Sequence, residues 1–198
     1  MKKNRTFLIC LIGVMSALST VIYLIFPEIP LVPGVDYLKI DFSDIPAVIS
    51  SVMCGSFAGI CVEIIKNLIH LLRTTTFGIG ELMNIGIGSA MIGSLYFFLK
   101  VFSKKFKSHF FAPNIYYLSA CLAVAVTVLS GWLLNAVLTP IFFAISGIPI
   151  TFESIVAGVT GSTLLNAVKA AVNLLLFYPV YFAISKAVPT KNGIDKKK

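Results

Sequence analysis

Apolar runs close to 20 residues long recur through the 198-residue chain and leave few folds open to it. A helix of that length crosses the hydrocarbon core of a bilayer. Only 12% of the residues are charged, about half of what a soluble domain carries, and the mean hydropathy is +0.95. A transmembrane barrel would instead alternate apolar and polar residues over short segments, and no such pattern occurs. The expected fold is an all-α integral membrane protein.

The net charge of +8 is a matter of placement. Lys2, Lys3 and Arg5 precede the first run; Lys100, Lys104, Lys105 and Lys107 separate two later ones; Lys186, Lys191, Lys196, Lys197 and Lys198 close the chain. Twelve of the sixteen basic residues thus fall in three clusters, accompanied by one acid, Asp195. Such clustering marks cytoplasmic segments, so the basic excess reports topology and not nucleic-acid binding. Both termini are expected in the cytoplasm of a multi-pass plasma-membrane protein, with residues 1–190 as one transmembrane domain and 191–198 as a basic tail. The first run shows no clear cleavage site, so it reads as a retained helix.

Six helices follow, over about 6–26, 44–54, 56–73, 81–99, 114–147 and 152–188. Parity decides the count. An even number of crossings separates the first two basic clusters; 6–26 and 81–99 supply two, so 45–73 adds two or none. Two short helices turning at Cys54-Gly55-Ser56 near the cytoplasmic side are expected, with a re-entrant pair as the alternative. Pro27, Pro30 and Pro33 keep the first connection extended. Ser43 or Asp44 is placed to cap the second helix, with Pro46 in its first turn. Cys10, Cys54, Cys61 and Cys121 read as small core residues; they have no metal-ligand spacing.

Polar side chains inside membrane helices are costly and mark candidate sites. Glu63, Lys66, Asn67 and His70 share one helical face, with Glu63 and Lys66 spaced to neutralise each other and His70 near the external interface. Glu81 and Asn84 open the fourth helix, and Asn135 lies deep in the fifth. Asn166, Lys169 and Asn173 share a face of the sixth, where no acid at helical spacing neutralises Lys169. Carboxamides offer a donor beside an acceptor and match the edge of an imide or pyrimidine; Phe, Tyr and Trp132 supply flat apolar surface. A neutral, planar, partly polar small molecule suits this set. Catalytic motifs, a phosphate cage and a Walker A sequence are absent, so neither catalysis nor ATP coupling by this chain alone is expected.

Three motifs add a family. Tyr37-Leu38-Lys39-Ile40-Asp41-Phe42-Ser43-Asp44-Ile45-Pro46-Ala47, Ile64-Ile65-Lys66-Asn67-Leu68 and Gly80-Glu81-Leu82-Met83-Asn84 occur in order. From about residue 6 to 188 the chain resembles the riboflavin-specific substrate-binding subunit (S component) of bacterial energy-coupling factor (ECF) transporters. The resemblance implies riboflavin as transported ligand with no cofactor, bound by Tyr37, Leu38, Lys39, Glu81, Asn84, Asn135, Asn166 and Lys169. The Tyr37–Pro46 segment would close the pocket. It also implies a transmembrane coupling subunit, docked through Gly13 and Ala17 where the family carries Ala-x-x-x-Ala, and two cytoplasmic ATPases. The rival readings are a subunit for another vitamin or flavin precursor, and a membrane-embedded enzyme acting on a lipid or isoprenoid.

Overall fold

The computed structural model describes residues 5–25, 29–30 and 39–187, and these form six α-helices. They are α1 (Arg5–Ile25), α2 (Ile45–Cys54), α3 (Ser56–His70), α4 (Ile79–Lys105), α5 (Pro113–Ser146) and α6 (Phe152–Ala187). A two-residue antiparallel ribbon pairs Ile29 with Ile40 and Pro30 with Lys39 in the α1–α2 connection; Pro27 and Pro33, expected to keep this connection extended, lie outside the described residues. Helix α3 ends three residues early, passing into a 3-10 turn at Leu71–Arg73. Helix α4 runs six residues further than expected, so Lys100, Lys104 and Lys105 lie on its last turns, where cations suit the helix dipole.

Four helices, α1, α4, α5 and α6, are long and apolar enough to cross a membrane. With 10 and 15 residues, α2 and α3 each fall short of the ~20 that a full crossing takes. The distribution of polarity is that of a protein built for lipid. Glu63, Lys66, Asn67, Asn135 and Asn173 are wholly buried, while Leu129, Trp132, Leu133 and Val137 of α5 are more than half exposed. Trp132 therefore lies on the exterior and not on a ligand surface. Cys10 and Cys121 are exposed too, against the expectation of core positions, and all four cysteines are free.

Helix α2 is the centre of the bundle and packs on α1, α3, α4 and α6. Every residue from Pro46 to Ser51 is buried. Gly55, at φ +102°, makes the turn into α3 in backbone space that only glycine enters freely. One turn on, Gly59 lets α2 and α4 close in: a Cβ there would sit 2.5 Å from the Ala47 carbonyl oxygen and 2.8 Å from Ile92 Cγ2. Below this contact Ile92, Leu95, Leu99, Tyr116, Leu174 and Phe177 form a buried core joining α4, α5 and α6. The Tyr116 hydroxyl donates to the Leu174 carbonyl at 2.5 Å.

Gly59→Val is expected to destabilise the protein by about 1–3 kcal/mol through overpacking, measured by thermal unfolding in detergent. Gly93→Ala, at a position where an added Cβ meets nothing within 4 Å, serves as the matched control and should leave the melting temperature unchanged.

Candidate functional site

The segment before α2 is held by charge. Asp44 stands at the N-cap of α2 but its carboxylate makes no capping bond. It faces the bundle instead, with Oδ1 2.5 Å from Lys66 Nζ of α3 and Oδ2 3.3 Å from Lys169 Nζ of α6. Capping through Ser43 is likewise replaced, because its N–H donates to Asp41 Oδ1 at 2.8 Å and its hydroxyl to the same oxygen. Asp41 Oδ2 lies 2.9 Å from Lys169 Nζ. Burial pushes the Asp41 carboxyl up, but the charges of Lys169 and Lys66 and the Ser43 hydrogen bond outweigh it, holding this group well below the usual carboxylate range.

The network continues across the bundle. Lys66 also pairs with Glu63 at 2.8 Å, as their spacing anticipated. Asn67 donates to Glu63 at 2.8 Å and accepts from Asn84 at 3.0 Å, and Asn84 Oδ1 accepts from Lys169 at 2.9 Å. Gly88 makes room for the Glu63 carboxyl, which would lie 2.8 Å from a Cβ at that position. Asn173 donates to the Asp41 carbonyl at 3.1 Å. Lys169 is thus neutralised, though not from its own helix: Asp41 and Asp44 supply the charge from more than 120 residues upstream. Its three N–H groups meet Asp41, Asp44 and Asn84.

Beside this network lies a cavity of about 680 Å³, a volume typical of small-molecule sites. Glu81, Asn84, Asn135, Asn166 and Lys169 all line it, brought together from α4, α5 and α6. Asn135 is fully buried and donates to the Gly131 carbonyl at 2.7 Å, yet its Oδ1 has no partner among the described residues. Asn166 lies against Gly131, its Nδ2 3.4 Å from where a Cβ would be. Tyr37 and Leu38 lie outside the described residues, and of Lys39 only the backbone is described.

Sequence reasoning missed part of the wall. Asp41, Tyr23 and His70 line the cavity as well. His70, expected as an interfacial side chain, stacks on Tyr23 with ring centroids 3.8 Å apart and an interplanar angle of 15°; its Nδ1 lies 2.8 Å from Glu81 Oε1. Its place on the Glu63–Lys66–Asn67 face was the available signal. Glu81 Oε2 accepts from Thr74 at 2.9 Å and Thr76 at 3.2 Å, so this carboxylate organises the α3–α4 turn as well as lining the cavity. Gly13 and Ala17 are exposed on the outer face of α1, while Ser16, Ser19 and Thr20 turn inward.

Residues 8–181 match the family model described as ECF transporter, substrate-specific component. The Bacillus subtilis protein named riboflavin transporter FmnP is 37% identical over 87 residues, 41% of this chain and 43% of that protein. Riboflavin transporter RibU of Staphylococcus aureus is 31% identical over 96 residues, 48% and 49% respectively. The chain thus spans about half the length of these relatives. A solved structure described as the S component of a bacterial ECF transporter superposes with a TM-score of 0.73 over 93% of this chain and 98% of that one, at 23% identity, and shares the fold.

Lys66→Met leaves Glu63 buried without a cation and Asp44 with Lys169 alone. Removing one partner of a buried pair costs about 3–5 kcal/mol, so this variant should unfold at a markedly lower denaturant concentration or temperature. Asn166→Ala, which removes no hydrogen bond among the described residues, should melt with the unaltered protein.

Proposed function

The chain belongs to the substrate-specific components of ECF transporters, and from that premise we propose that it binds riboflavin outside the cell and delivers it to an ATP-driven module for uptake. The observation that carries this reading is the cavity wall between α4, α5 and α6, lined by both Asn166 and Asn135, whose Oδ1 is unpartnered among the described residues. An acceptor and an amide whose donors have no partner among the described residues suit the alternating C=O and N–H edge of a flavin ring. Ile87 and Leu165 line the same cavity and supply apolar surface for the ring faces. The names of the Bacillus and Staphylococcus relatives support the same ligand. Glu81, Asn84 and Lys169 complete the site, and Tyr37, Leu38 and Lys39 belong to the segment that closes over it.

Both termini lie in the cytoplasm in this reading, and α2 and α3, each shorter than a full span, lead into and out of the bundle as the second and third of six membrane helices. Gly55 supports that topology. A Cβ at this turn would lie 3.9 Å from the Tyr96 hydroxyl, and Tyr96 stands roughly 25 Å along α4 from Ile79. The α2–α3 turn therefore reaches the same depth as the inner half of α4, close to the Lys100–Lys107 cluster. The partners are a transmembrane coupling subunit and two cytoplasmic ATPases. The coupling subunit docks on α1 at Gly13 and Ala17, where small exposed side chains let a second helix approach closely.

Two outcomes are expected. Asn166→Ala weakens riboflavin binding by about 1–3 kcal/mol in a fluorescence-quenching titration of the purified protein; an unchanged dissociation constant removes Asn166 from the site. Gly13→Leu and Ala17→Leu keep full riboflavin affinity but abolish uptake in cells that express the complete transporter. Normal uptake by both variants moves the docking face elsewhere.

A further inference from the structure

Two chemically different zones divide the cavity along α4. Asn84 and Ile87 follow Glu81 by one and two turns, and with Asn135 and Asn166 they make a deep zone of amides and apolar surface. Glu81, in the first turn of α4, belongs to an outer zone with His70, Arg73, Thr75 and Thr76. The outer zone offers hydroxyls, an imidazole and charges, beside the rings of Tyr23 and Phe142.

His70 is held from two sides. Its ring is stacked on Tyr23, and its Nδ1 is fastened to Glu81 Oε1 at 2.8 Å. Glu81 is itself immobilised by Thr74 and Thr76, whose oxygens accept from the Gly78 and Gly80 amides at 3.2 and 3.1 Å. A carboxylate at Nδ1 accepts a hydrogen bond from Nδ1–H, which holds the proton of the neutral imidazole on that nitrogen and leaves Nε2 with a lone pair. Among the described residues Nε2 has no partner, and the side chain is 17% exposed, so it is open to a cavity ligand.

We propose that His70, oriented by Glu81, binds a hydroxyl of the ligand's sugar-alcohol arm, so that the flavin ring lies deep against Asn135 and Asn166 and the arm points toward the α3–α4 turn. The inference rests on the riboflavin reading and adds to it the orientation of the ligand and a residue that selects for the arm. A hydroxyl is the group that suits this position, since it donates to Nε2 and accepts from a neighbouring threonine. Glu81 then acts as a positioning residue through His70.

The test compares two ligands that share a ring. Riboflavin carries the arm; lumiflavin has a methyl group in its place. His70→Phe keeps a ring to stack on Tyr23 and removes Nε2. It should weaken riboflavin binding roughly tenfold and leave lumiflavin binding unchanged, whereas Asn166→Ala should weaken both. Glu81→Gln retains the imidazole without its charged anchor and should show the same selective loss, which keeps the test available if His70→Phe does not fold. Equal weakening of both ligands by the His70 and Glu81 variants, or no change in either, overturns the assignment. If the unaltered protein binds lumiflavin but gains nothing from the arm, the riboflavin site stands and the orientation falls. If it binds neither flavin, the ligand reading fails and this inference with it.

Discussion

Five buried charges, Asp41, Asp44, Glu63, Lys66 and Lys169, hold this bundle in register. In a membrane-embedded protein the apolar surface cannot choose between neighbours, because lipid tails satisfy it as well as another helix does. Polar groups can choose, since each must find its partner or remain uncompensated. Here the three acids and two lysines come from the segment before α2, from α3 and from α6. Their pairing ties those three elements to one another. Such clusters add little net stability over an apolar core, and their effect is to specify the arrangement.

The same network places the site. Lys169 and Asn84 belong at once to the charge cluster and to the cavity wall, so the cluster holds two of the wall's polar groups in place. Asn135 and Asn166 stand just outside the network with hydrogen-bonding capacity left over. That division of labour separates groups that brace the cavity from groups left open to a ligand. Small residues complete it: Gly59 closes α2 onto α4, and Gly88 gives Glu63 its place. Substitution at either would disturb the site without touching it.

Much of this was legible in the chain. Apolar runs located all six helices, with the end of α4 off by six residues and the other ends by no more than three, and helical spacing grouped Asn166 with Lys169 and Glu63 with Lys66. What escaped was long-range. Lys169 looked unneutralised because only positions on its own helix were within reach of a spacing argument, and its acids lie in a segment before α2. Asp44 looked like a helix cap because local rules favour it there; tertiary charge pairing overrode the cap. His70 looked interfacial because nothing in its neighbourhood revealed Tyr23 or Glu81, which the fold brings to it from two other helices. Trp132 looked like a ligand surface, although its helical face belongs to lipid.

The central claim is that bracing by the charge cluster leaves Asn135 and Asn166 free to hold an uncharged planar ring deep in the bundle. Crystals grown with riboflavin test it most directly. The account predicts ring density in van der Waals contact with Ile87, with its polar edge hydrogen-bonded to Asn135 Oδ1 and the Asn166 carboxamide while Lys169 keeps Asp41 and Asp44. Ring density elsewhere on the protein, or an empty cavity at saturating riboflavin, would contradict it.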